Sequence, residues 1–124
     1  MRTNSRLRLG AWGEQAAADF LANLDYEIID RNIRTPYGEI DILARQADCL
    51  VIVEVKTRAS TSMGYPEISI TPKKIRHLME AAEAYLADQG QAEVCWRIDV
   101  IAIQGHPGGG TPDIHHFENI HSDR

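Results

Sequence analysis

Long apolar runs are missing from this sequence: no stretch of its 124 residues approaches the roughly 20 apolar positions needed to cross a bilayer as a helix. A helical membrane span is thereby excluded, and no membrane partner is expected. Arg2, Arg6 and Arg8 stand near the start with no apolar segment behind them, so a secretory signal is not expected either. Cysteine is scarce. Cys49 and Cys95 form no CxxC pair, and a reducing, cytoplasmic setting suits them, a single disulfide being the alternative. There is no low-complexity tract and no internal repeat. A basic surplus is also lacking, because the formal net charge is -5. That argues against a protein that coats nucleic acid by bulk electrostatics.

The charge is unevenly spread. Residues 1–30 balance at -2, residues 31–76 at +3 and residues 77–124 at -6. The middle of the chain is therefore where a polyanion would bind, if these are more than scattered solvated charges. The length fits one domain spanning residues 1–124, with residues 1–7 and 119–124 expected to fray.

Periodicity predicts the elements. Leu9, Trp12, Ala16, Phe20 and Leu24 form one stripe of a helix over residues 5–24, flanked by Ala17 and Leu21. Glu14 falls just past the edge of that arc. Residues 26–34 read as a strand ended by the turn signal Thr35-Pro36-Tyr37-Gly38. Residues 38–45 alternate, with Glu39 and Asp41 on one face and Ile40 and Ile42 on the other. Residues 49–56 are rich in Val, Ile and Leu, as a central strand buried on both faces should be. Residues 57–70, with Gly64 and Pro66, read as a loop. Thr71-Pro72 opens a helix that should stop at Gly90, with Ile75, Leu78, Met79, Ala82 and Leu86 inward. A strand over residues 94–103 and a short one near 114–117 complete an α/β fold in which helices flank a mixed sheet.

The informative feature is charge where a core strand should have none. Glu54 and Lys56 interrupt the apolar run at i and i+2 and so share a face. Buried charges are costly unless paired, hydrogen-bonded or bound to a metal. If residues 38–45 and 49–56 form a hairpin, Asp41 converges with Glu54 at one end of the sheet. Oxygen ligands of that kind suit Mg²⁺ or Mn²⁺, with Lys56 beside them to orient a water or stabilise developing charge. A buried Glu–Lys pair explains the ExK spacing as well. It leaves Asp41 and Glu14 without a reason.

Gly13-Glu14, Gly38-Glu39-Ile40-Asp41, Val53-Glu54-Val55-Lys56-Thr57-Arg58 and Arg97-Ile98-Asp99-Val100 together resemble the YraN-like family of small bacterial proteins. That family looks like a branch of the PD-(D/E)xK nucleases, close to the archaeal Holliday-junction resolvases. The resemblance implies a restriction-endonuclease-like α-β-β-β-α-β core. It implies Asp41, Glu54 and Lys56 as catalytic residues, and Asp41, Glu54 and Glu14 as metal ligands. Ile40 stands where the signature has proline. The implied function is a metal-dependent endonuclease acting on DNA, including branched DNA, and resolvase-like relatives suggest a homodimer.

Around this set, Thr57 and Arg58 could touch a phosphate, and Lys73, Lys74 and Arg76 open a helix whose N-terminus attracts anions. Tyr37 and Tyr65 could stack on an unpaired base. Asp99 suits a pairing with Arg97 as well as a site role. His115, His116 and His121 read as surface residues, and Trp12 as core. Two other functions stay open: a non-catalytic nucleic-acid-binding module of the same fold, and a protein–protein adaptor docking through the acidic C-terminal half.

Overall fold

The computed structural model describes residues 3–59, 70–91 and 93–122, with side chains from Leu7 to His121 within those spans. The elements are α1 (Thr3–Asn23), β1 (Glu27–Thr35), β2 (Gly38–Gln46), β3 (Cys49–Arg58), α2 (Pro72–Asp88), β4 (Trp96–Gln104) and β5 (Asp113–Ser122). The strands form one sheet in the order β1-β2-β3-β4-β5. β3 and β4 are parallel and the other neighbours antiparallel. A parallel pair needs a crossover, and α2 lies within it. This is the mixed sheet flanked by helices that a restriction-endonuclease-like core requires, with a full fifth strand added. α1 and β5 both reach into the segments expected to fray, and β5 is longer than the short strand expected.

β3 lies at the centre because its residues can be buried on both sides. Leu50 and Ile52 pack under α2 with Leu78, Ala81, Ala82 and Leu86. Val51 and Val53 pack under α1 with Ala17, Ala18 and Leu21. The strand continues through Thr57 and Arg58, which were expected in the loop. Gly64, Tyr65 and Pro66 lie outside the described residues.

The buried line of α1 is Gly13, Ala17, Ala18 and Leu21, one step round the wheel from the expected stripe. Trp12, Ala16 and Phe20 are half-buried, and Leu24 is 50% exposed. Large side chains dominate a hydrophobic wheel, whereas close approach to a sheet selects small ones. α2 starts and stops as expected. The Thr71 hydroxyl accepts the Lys74 N–H at 3.1 Å, Pro72 opens the first turn, and Gly90 follows the C-cap with φ +70°. Both cysteines are free thiols. Burial and a hydrogen bond with Cys95 push the Cys49 thiol up to about 12, so it stays protonated at neutral pH.

Candidate functional site

The site is a fork between two strands. β2 and β3 pair from Gln46↔Cys49 to Ile42↔Val53, and the ladder stops there although both strands go on. β2 stays instead with β1, through Ile33↔Ile40 to Thr35↔Gly38. Side-chain alternation reverses at the same level. Ile42 belongs to the core under α1, but Ile40, two residues earlier, belongs to the core under α2. In β1, Arg31 donates to Gln15 of α1 at 2.9 Å while Ile33 packs under α2. The hinge of this reversal is Asn32, at φ +53°. Asparagine is one of the few residues that tolerates the left-handed region. Ile40 and Ile42 therefore do not share a face, contrary to the simple alternation expected of β2.

Asp41 sits in the fork. Its Oδ2 accepts the backbone N–H of Val55 at 2.8 Å, a donor that the interrupted ladder no longer serves. Glu54 follows the β3 alternation onto the α2 face. It is 8% exposed, and its Oε2 lies 3.5 Å from Nζ of Lys74 in the first turn of α2. Burial, and then the negative charge of Glu54, raise the Asp41 carboxyl to about 6. The Val55 N–H and the Lys74 ammonium oppose that rise. The Lys74 charge thus acts on both carboxylates, and the charge of Glu54 acts on Asp41. Glu39 is exposed and reaches Arg34 at 3.6 Å, and its charge also raises the Asp41 carboxyl.

Glu14 joins from the helix. A Cβ at Gly13 would stand 2.0 Å from Thr57 Oγ1. Only a glycine lets α1 lie this close to the end of β3 and bring the next residue toward the fork. Burial, and then the charge of Asp41, raise the Glu14 carboxyl above its usual range. The Arg31 charge and a side-chain hydrogen bond with Asn32 pull it down.

Lys56, two residues beyond Glu54, shares its face and is half-buried. The ion-pair partner of Glu54 is Lys74, not Lys56. The residues around them divide. Thr57 lies on the opposite face, under Gly13. Arg58 is exposed at the strand end, where its carbonyl accepts the Gly105 N–H at 2.9 Å. Lys73 and Arg76 are exposed on the first turns of α2, and Tyr37 is 52% exposed at the β1–β2 turn. An open groove of about 510 Å³ lies along α1, lined by Trp12, Ala16, Phe20 and Ile114 among others. None of the carboxylates of the fork lines it.

Among the described residues, no three His, Cys, Asp or Glu side chains are gathered as a ready-made metal cage. The donor set is the Asp41 and Glu54 carboxylates, with Glu14 linked to them through the effect of the Asp41 charge. That set fits a hydrated Mg²⁺ or Mn²⁺, which needs only one or two carboxylates and retains several waters. It is a poor match for Zn²⁺, whose sites combine any carboxylate with histidine or cysteine ligands.

Asp99 lies apart from the fork. It is fully buried and accepts hydrogen bonds from Arg97 Nε at 3.0 Å and from the Asn119 N–H at 2.8 Å. His116 Nε2 is 2.8 Å from its other oxygen, and Arg97 also donates to the Tyr26 hydroxyl at 2.8 Å. Burial alone would raise the Asp99 carboxyl, but these partners outweigh it and hold it below the usual range. The expected Arg97 pairing is present. His116 is not a surface residue: its side chain is 7% exposed, edge-on to Phe20 and Tyr26. Its partner Asp99 stands 17 residues earlier, on the neighbouring strand β4, so no local pattern signalled the contact. Asn32, Arg31 and the Val55 amide were also missed. A glycine in mid-helix directly before Glu14, and an asparagine inside a strand, were the available signals.

A family model described as "Uncharacterised protein family UPF0102" matches residues 13–103, a span that includes Glu14, Asp41, Glu54 and Lys56. A UPF0102 protein of Syntrophotalea carbinolica is 44% identical over 115 residues, covering 93% of this chain and 92% of the relative. One from Geotalea daltonii is 42% identical over 116 residues, covering 94% and 91%. One from Mycobacterium tuberculosis is 39% identical and covers 97% of each chain. With most of its length matched by both the family model and these relatives, the chain belongs to the UPF0102 family.

Proposed function

We propose that this protein is a metal-dependent phosphodiester hydrolase acting on DNA. The observation that carries the reading is the electrostatic coupling of Asp41 and Glu54, with Lys74 Nζ 3.5 Å from Glu54 and Lys56 on the same face of β3 as Glu54. Two carboxylates forced together in a low-dielectric fork repel each other, and a divalent ion would relieve both. A bound Mg²⁺ would polarise the phosphodiester and offset the charge that develops on it. The Val55 N–H holds Asp41 in a fixed orientation. Lys56 follows Glu54 on the same face of β3, a position from which its ammonium could hydrogen-bond an attacking water or the developing anion. Exposed Arg58, Lys73 and Arg76 surround this end of β3 and the start of α2 and supply contacts to the phosphate backbone.

The test is incubation with Mg²⁺ or Mn²⁺ and linear, single-stranded, flapped and four-way DNA. Cleavage is expected for wild type and is expected to be lost in Glu54→Ala and Lys56→Ala. Equal cleavage by all three proteins refutes the assignment. A second reading, metal-independent nucleic-acid binding, draws on the Lys74 ammonium already satisfying Glu54. Binding unaffected by EDTA and by Asp41→Asn, yet falling steeply with salt, selects it.

A further inference from the structure

Three basic residues open α2, and they behave differently. Lys73 and Arg76 are exposed, whereas Lys74 is half-buried and turned into the fork. A lysine in the first turn of a helix opposes the macrodipole, so its placement needs a compensating interaction. Here that is Glu54, whose side chain is 10% exposed against 44% for that of Lys74. The ammonium stands 3.5 Å from Glu54 Oε2, an ion-pair distance but longer than a good charge-assisted hydrogen bond. Its charge also reaches Asp41. The backbone beneath is held by the Thr71 cap, which accepts the Lys74 N–H, so the four-carbon stem is the part free to move.

We propose that Lys74 is a resident counter-ion: its ammonium holds the cation position between Asp41 and Glu54 until a divalent ion displaces it, and it then swings outward to meet a phosphate. This rests on the metal-dependent reading above and adds an occupant and an exchange to it. The charge arithmetic supports exchange. Two carboxylates carry two negative charges and one ammonium neutralises only one, whereas a divalent ion neutralises both. Once that ion is seated, the ammonium is repelled from the fork. It is then left beside the exposed Lys73 and Arg76, the side from which a polyanion would approach. A lysine therefore keeps the metal-free fold from carrying an uncompensated buried pair, at the expense of metal affinity.

The experiment is titration of metal-free wild type, Lys74→Met, Lys74→Gln and Lys73→Met with Mn²⁺ at pH 8, read by electron paramagnetic resonance of the free ion. Thermal unfolding in EDTA is measured in parallel. Removing a competing charge beside the buried Glu54 carboxylate should tighten Mn²⁺ binding on the order of tenfold in both Lys74 variants. It should also lower their unfolding temperature in EDTA. Lys73→Met makes the same change in net charge and should leave Mn²⁺ affinity near wild type. If wild type binds Mn²⁺ and the Lys74 variants bind it equally or more weakly, the counter-ion proposal is overturned and the metal reading survives. If Lys73→Met tightens binding as much, the effect is one of general charge and the proposal is likewise overturned. If wild type binds no Mn²⁺, the metal reading itself fails and the exchange with it.

Discussion

Replacing Asp41 by Asn should make the metal-free protein more stable, and only above a definite pH. The Asp41 carboxyl titrates at about 6 in the folded protein and near 4 in an unfolded chain. Between those values the folded state holds a proton that the unfolded state has released, so stability falls as pH rises through the window. Above about pH 6 the cost is complete. Two decades of proton affinity correspond to about 3 kcal/mol, an upper bound, because Lys74 and solvent relax part of the repulsion. Asparagine removes the charge and keeps a side-chain oxygen that can accept the Val55 N–H. Urea unfolding at pH 8 in EDTA should therefore show Asp41→Asn more stable than wild type by about 1–3 kcal/mol, on the order of 4–10 °C in midpoint temperature. At pH 4.5, where most of the Asp41 carboxyl is protonated in the folded protein, most of the advantage should vanish. Added Mn²⁺ should stabilise wild type and not the variant. An advantage that is absent at pH 8, or of the same size at both pH values, refutes the account of Asp41 as a strained, buried anion.

Asp99→Ala should destabilise by about 3–5 kcal/mol in urea, because it leaves Arg97 and His116 facing a buried gap without their anion. The wild-type Asp99 carboxyl is held below its usual range, so its contribution is present above about pH 4 and is lost as pH falls through the folded value. The variant should accordingly lose much of that acid sensitivity, checked by unfolding between pH 2.5 and 5. Gly13→Ala in mid-helix would ordinarily gain about 1 kcal/mol. Here the new Cβ meets Thr57 Oγ1, so a loss of about 1–3 kcal/mol is expected. Thr57→Ala, which removes the closest atom, should restore part of it by the same measurement.

The elements were legible because each rests on local chemistry. The Thr71-Pro72 start and the Gly90 stop define α2, and the apolar run of residues 50–53 could only be a strand covered on both sides. The candidate site was half legible, since charges at Glu54 and Lys56 in such a run stand out in any linear reading. What the sequence determined by itself is therefore the set of elements and the residues that break their patterns. Whether Asp41 meets Glu54 was decided only by the tertiary structure, where the β2–β3 ladder ends at Ile42↔Val53 and the alternation reverses at Asn32. The same is true of Lys74 turning inward to Glu54 and of His116 reaching Asp99. The physical reason is common to all three. Periodicity reports which face of an element is apolar, but the partner of a buried charge is chosen by three-dimensional proximity between one element and the next, which no period within either one records.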